Sequence, residues 1–165
     1  MDWNKMTDLS ESLRVVMRGW PTGVAVVTSE HNGNRHGMTV NSLASVSLEP
    51  PMVTISLANS ARTRALVSSS GFFAVTMLDA SQQYLSDVFA GKEPEEDRFD
   101  GLETFVFKTG APLIKGGRGF LDCVVVHSFS MLNSTIFVGE VKAAEGDLDR
   151  LPLVYLNRGY HQVTK

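Results

Sequence analysis

Cysteine is almost missing from this chain. Cys123 stands alone, so no internal disulfide can form and no multi-thiolate zinc site can be built from it. A reducing compartment, the cytoplasm, is therefore the expected location. Long apolar runs are missing as well. The longest, such as Val24 to Val27 and Cys123 to Val126, are far below the roughly 18 residues of a membrane span, so no membrane association is expected. An excess of positive charge is absent too: 15 Lys and Arg against 18 Asp and Glu leave a net charge of -3. Nucleic acid is excluded as a partner, because no basic surface is large enough to track a phosphate backbone. Met1 to Lys5 lacks the charged and apolar regions of a secretory signal. Hydrolytic machinery is missing in turn, with no Gly-x-Ser-x-Gly elbow, no Gly-x-x-x-x-Gly-Lys loop and no His-Glu-x-x-His pair. His31, His36, His127 and His161 are scattered and read as turn or packing residues, and no metal site is expected.

What is present suits one globular domain over residues 1–165, since 43% of the residues are hydrophobic. Met6, Leu9, Leu13, Val16, Met17 and Trp20 form the stripe of an amphipathic helix within residues 1–20, which Pro21 stops. Residues 21–163 read as the β body. Gly23 to Thr28 and Arg35 to Val40 form a hairpin about the Asn32-Gly33 turn signal. Ala44 to Leu48 and Met52 to Leu57 flank Pro50-Pro51, where tandem prolines end the ladder. A helix is expected over Ser60 to Ser69 with Ser60 as its N-cap, and another over Ser81 to Ala90 started by Asp79 or Ser81. Phe72 to Met77, Phe105 to Phe107, Phe120 to Met131, Thr135 to Val141 and Gly159 to Val163 are further strands. Between them, Lys92 to Asp100 reads as a solvated acidic loop. About seven to nine strands without βαβ alternation predict a mainly β fold, a closed antiparallel barrel with helical decoration.

Two clusters could carry chemistry. Gly37 to Ser42, with Ser47 nearby, gathers small polar residues at strand ends, either to hydrogen-bond the edge of a flat heteroaromatic ring or to serve local turns. Asn59 to Thr63 opens a helix with Arg62 beside unpaired amides, a place for a phosphate or simply a capped start.

In chain order, Trp20-Pro21-Thr22-Gly23-Val24, Gly37-Met38-Thr39-Val40-Asn41-Ser42, Ser47-Leu48-Glu49-Pro50-Pro51, Ser60-Ala61-Arg62-Thr63, Asp97-Arg98-Phe99, Leu121-Asp122-Cys123, Ile136-Phe137-Val138-Gly139-Glu140-Val141 and Arg158-Gly159-Tyr160-His161 resemble the flavin reductase-like family. The resemblance implies an FMN-binding split β-barrel and a homodimer. It also implies an NAD(P)H:flavin oxidoreductase, which reduces FMN or FAD with NADH or NADPH and supplies a monooxygenase partner. By the same resemblance, Thr39, Val40, Asn41 and Ser42 face the isoalloxazine edge with Ser47 close by. Ser60, Arg62 and Thr63 hold phosphate, and Arg98 and Phe99 close over the cofactor or reach the partner subunit. Leu132-Asn133-Ser134 stands where the family has Gly-Asp-His, which puts Ser134 and the neighbouring His161 at the nicotinamide. No residue is expected to act as acid or base, because hydride transfer is the cofactors' own chemistry. Two other readings share the barrel: an electron carrier or accessory subunit without reductase activity, and a flavoenzyme acting directly on an organic substrate.

Overall fold

The computed structural model describes residues 9–92 and 97–163. Met6 of the helical stripe and residues 93–96 of the acidic loop lie outside the described residues. The first helix, α1 (Leu9–Arg18), ends where expected, with Gly19 and Trp20 donating their amides back to Val16 and Met17. Glu11 accepts from both Arg14 and Arg18, at 3.3 and 3.2 Å. None of its residues is buried.

After β1 (Thr22–Gly23), the hairpin of β2 (Ala25–His31) and β3 (Asn34–Val40) pairs His31 with Asn34 across a two-residue turn. Asn32 and Gly33 have φ of 52° and 78°, the backbone that a turn matched to strand twist requires. β4 (Ala44–Leu48) and β5 (Pro51–Ala58) flank Glu49-Pro50, and β5 buries Val53, Ile55 and Leu57 on alternate positions.

Both later helices start later than the sequence suggests. α2 (Arg62–Ser70) is preceded by Ala61 and has no side-chain cap, because Ser60 falls inside a turn closed by the Ala61 amide on the Ala58 carbonyl. α3 (Gln83–Phe89) follows Gln82 at its N-cap position. Asp79 instead accepts from the amide and hydroxyl of Ser81, shaping the turn before the helix.

The remaining strands are β6 (Phe72–Met77), β7 (Thr104–Phe105), β8 (Leu113–Ile114), β9 (Gly119–Ser130), β10 (Ser134–Gly146), β11 (Leu153–Leu156) and β12 (Gly159–Gln162). Short β1, β8 and β11 had no signal of their own, since so few residues carry no readable alternation. The mainly β class is as expected. The closed barrel is not: the seven-stranded antiparallel sheet runs β3-β2-β6-β9-β10-β5-β4 and leaves β3 and β4 as free ends. The reason is local. Ser42, in the link between β3 and β4, bonds with its hydroxyl to both backbone groups of Ser56 on β5, so the link crosses to β5 and the two end strands do not pair. Ile55, Leu57, Phe73, Val75, Cys123 and Phe137 pack within this sheet, while Val26, Leu78, Phe89, Phe99 and Leu153 pack between it, α3 and the small sheet β1-β11-β12. Burial, with the Asp122 charge second, pushes the Cys123 thiol up to about 12, so the lone cysteine is inert packing. Among the described residues no helix is long and apolar enough to cross a membrane.

Candidate functional site

β3 is the end strand of the large sheet, so its outer edge is free of ladder partners, and clefts line up along it. At the hairpin end a cleft of about 510 Å³ is walled by Asn34, Arg35, His36, Arg62, Leu66 and Arg98. The next, about 440 Å³, shares His36, Arg62 and Arg98 and adds Thr39, Ser60 and Thr63. A smaller one of about 190 Å³ is bounded by Thr39, Val40, Asn41, Ser86 and Tyr160. Beyond Asn41 a cleft of about 620 Å³ extends to Thr22, Ser42 and Arg118 below Trp20.

The basic wall is built by close packing. Arg98 donates Nη1 to two carbonyls, Gly37 on β3 and Phe89 at the end of α3, both at 2.9 Å. Gly37 is required where α3 meets β3, because a Cβ there would stand 2.8 Å from Cε1 of Phe89. Burial and then the charge of Arg62 hold the Arg98 guanidinium below its ordinary value. Arg62 and Arg98 therefore face one region whose carboxylate among the described lining residues, Asp97, is already paired with Arg35 at 3.2 Å, which leaves net positive charge to attract an anion. His36 sits among them with Nδ1 2.8 Å from the Thr63 hydroxyl. Burial, then the charges of Arg98 and Arg62, bring it down to about 4 against the smaller pull of Asp97, so its ring is neutral at pH 7.

Toward Asn41 the wall becomes neutral and polar. Thr39 donates to the Ser86 carbonyl at 2.6 Å, the Ser86 hydroxyl meets Tyr160 at 2.8 Å, and Tyr160 donates to Asp87 at 2.9 Å. Lys92 donates to the same Asp87 oxygen at 2.7 Å. Two buried polar atoms on the last cleft, Thr22 Oγ1 and Arg118 Nε, have no hydrogen-bond partner. Such orphans are rare in a folded chain and mark where a bound molecule would be satisfied.

Most of the residues singled out in the sequence meet along this edge. Thr39, Val40, Asn41, Ser42, Ser60, Arg62, Thr63 and Arg98 all line it. The hydroxyl of Thr63 is paired with the His36 ring, and that of Ser42 donates to the Ser56 carbonyl and is not a free donor. Phe99 is buried, edge-on to Phe89 at 5.2 Å, with the Arg35 guanidinium 4.6 Å over its ring. Ser47 lies on β4 opposite Met52, away from the row of clefts. Ser134 opens β10 in the large sheet and His161 sits on β12 in the small one. The Ser134 turn is clamped beside the basic cleft, because Asn59 donates to the Met131 and Leu132 carbonyls at 2.9 and 3.2 Å. His36, Thr22, Arg35 and Arg118 were not singled out as site residues. His36 stands on β3 between Asn34 and Thr39 but carries no local sign of being near Arg62.

Residues 17–164 match the flavin reductase like domain family. The chain is 32% identical over 153 residues to an NADH-dependent FMN reductase, RutF, of Stutzerimonas stutzeri, covering 93% of this chain and 88% of that one. It is likewise 32% identical over 154 residues to the reductase component of an FADH2-dependent resorcinol hydroxylase of Rhizobium, covering 92% and 86%. Among solved structures it is similar to the NADH:FAD oxidoreductase SgcE6 of Streptomyces globisporus, with a TM-score of 0.88, 32% identity and 96% of each chain covered.

Proposed function

The chain belongs to the flavin reductase-like family, and from that premise we propose that it is an NADH-dependent flavin reductase delivering reduced FMN or FAD to a partner monooxygenase. One observation carries the reading. A single strand edge joins a doubly basic cleft, fit for a phosphate, to a cleft with two orphaned buried donors, the Thr22 hydroxyl and Arg118 Nε, fit for the edge of a heteroaromatic ring. The basic cleft suits the flavin phosphate, with Arg62 and the open nitrogens of Arg98 donating to it. Asn41, Thr22 and Arg118 suit the carbonyls and nitrogens of the ring. When bound, flavin and nicotinamide carry the hydride transfer between themselves.

The protein's part is then to bind, align and exclude water. Arg98 fixes the distance between the two clefts, since its bonds to Gly37 and Phe89 tie β3 to α3. Thr39, held on Ser86 and through it on Tyr160, keeps the neck between phosphate and ring at one width. The neutral His36 adds no proton chemistry at pH 7 and serves to hold Thr63 at the start of α2. Steady-state oxidation of NADH and NADPH in the presence of FMN, FAD and riboflavin tests the reading. Turnover with NADH and a phosphorylated flavin is expected, and no oxidation of either nucleotide would transfer the assignment to an electron carrier.

The same reading includes a homodimer. Leu13, Val16 and Trp20 of the N-terminal segment are 61%, 70% and 65% exposed, and Phe129 and Leu132 at the tip of the β9–β10 hairpin are 58% and 93% exposed. Apolar surface on this scale is normally covered by a partner, and a second copy is the commonest one. Sedimentation should give twice the chain mass at micromolar concentration. A monomer that still binds flavin normally would contradict it.

A further inference from the structure

We propose that Arg118 makes the ring cleft selective for the reduced, anionic flavin over the neutral oxidised one; this rests on the flavin reductase reading above. Among the described residues lining that cleft of about 620 Å³, Arg118 is the one that carries a charge. Trp20, Leu43, Met77 and Leu78 make much of the remaining wall apolar. The charge is also unbalanced. Among the described residues Arg118 enters no salt bridge. Asp79 feels its charge, but that carboxylate already accepts the amide and hydroxyl of Ser81 at 2.9 and 2.6 Å. Arg150 is paired with Asp147 at 3.3 Å.

The backbone holds this residue in one place. Its amide donates to the Met77 carbonyl at 2.9 Å, and its carbonyl accepts the Asp147 amide at 2.7 Å. Gly117 allows so close an approach, since a Cβ there would stand 2.6 Å from Thr76 Cγ2 and 3.0 Å from the Met77 carbonyl oxygen. Nε is thereby buried and left without a partner.

Hydride transfer moves two electrons and one proton from a dihydronicotinamide to the ring. The donor leaves with one more positive charge, and the ring ends with one more negative charge. Among the described residues lining the cleft there is no carboxyl, imidazole or ammonium group to supply a proton and cancel it. The new charge meets a partly desolvated guanidinium, and Coulomb attraction grows as the surrounding dielectric falls. The oxidised ring, being neutral, gains hydrogen bonds without this attraction. Arg62 and Arg98 do not discriminate, because the phosphate they suit is the same in both states.

The test is anaerobic titration of oxidised and of dithionite-reduced FMN against wild type, Arg118→Gln and Arg118→Lys, with the midpoint potential of bound FMN measured beside it. Mildly alkaline buffer keeps the free reduced ring anionic. Wild type should bind reduced FMN about tenfold more tightly than oxidised FMN, which sets the bound couple about 30 mV above free FMN. Arg118→Gln keeps a hydrogen-bonding group without the charge, and should bring the two affinities within about twofold by weakening the reduced form. Arg118→Lys keeps the charge and should retain most of the preference. Equal affinity of wild type for the two forms, or equal loss of both in Arg118→Gln, overturns the selectivity while leaving the reductase reading in place. A preference lost as fully with lysine as with glutamine overturns charge as its cause. Failure of wild type to bind either form overturns both readings. Circular dichroism that matches wild type secures the variants as folded, and Arg118→Met takes the place of Arg118→Gln should the latter not fold.

Discussion

Replacing Arg98 with alanine is expected to weaken FMN and FAD by about 100-fold while changing riboflavin only a few-fold. The side chain is half-buried and its Nη1 is committed to the carbonyls of Gly37 and Phe89, which aims the rest of the guanidinium at the clefts and removes most of the entropy cost of ordering it. A charge-assisted contact to phosphate contributes roughly 1.5–3 kcal/mol, and every 1.4 kcal/mol is about tenfold. Arg62 begins α2 and is exposed, so Arg62→Ala should lose about tenfold through the same contact made with a freer side chain. Lysine at 98 should restore little, because a point charge cannot hold two carbonyls and a phosphate at once. Titration of the three flavins by fluorescence separates the cases. Equal loss of riboflavin and FMN would show that Arg98 shapes the fold of the neck instead of holding an anion.

The second large effect is on stability. Asp122→Ala should lower unfolding free energy by about 3–5 kcal/mol, since each buried donor left without a partner costs roughly 1–3 kcal/mol. Asp122 is fully buried on β9. One carboxylate oxygen accepts the amides of Lys108 and Thr109 at 2.7 and 2.8 Å, and the other accepts the Thr109 hydroxyl. These bonds fasten the connector carrying Ala111, Leu113 and Ile114, which covers the buried Ala74 and Thr76 of β6. Out of a total of about 5–15 kcal/mol such a loss is severe, and for a chain of this size it corresponds to roughly 10 °C or more in melting temperature. Urea and thermal unfolding followed by circular dichroism measure it. A loss under about 1 kcal/mol would mean that the connector is held by its apolar contacts alone. Asp122→Asn should fall between, keeping one oxygen for the amides and presenting an NH2 group to the threonine hydroxyl.

The resemblance seen in the sequence mixed two kinds of residue that tertiary structure separates. Leu121-Asp122-Cys123 belongs to the scaffold: the aspartate fastens a connector and the cysteine is packed in the core. Ser60-Ala61-Arg62-Thr63 belongs to the site, yet within it Arg62 alone offers a charged side chain outward, while Thr63 turns inward to His36. Phe99, which the resemblance places over the cofactor or at the partner subunit, is buried between Phe89 and Arg35 within this chain. Ser134 and His161, both placed at the nicotinamide by the resemblance, stand in different sheets of the chain.

What the chain order by itself determined is what depends on neighbours within a few residues. Alternation along β5 and β6, the Asn32-Gly33 turn, the proline stop after β4 and the amphipathic α1 are each set by local backbone preference and side-chain period. The polarity of the strand-end segments at 39–42 and 60–63 was legible for the same reason. Tertiary structure alone decided the rest. Arg98 meets Gly37 across 61 positions and His36 meets Thr63 across 27, and no local pattern encodes a contact at that separation. The shared wall that joins two clefts arises because α2, α3 and Arg98 converge on β3, and the orphaned Thr22 and Arg118 meet at one cleft from β1 and from the residue before β9.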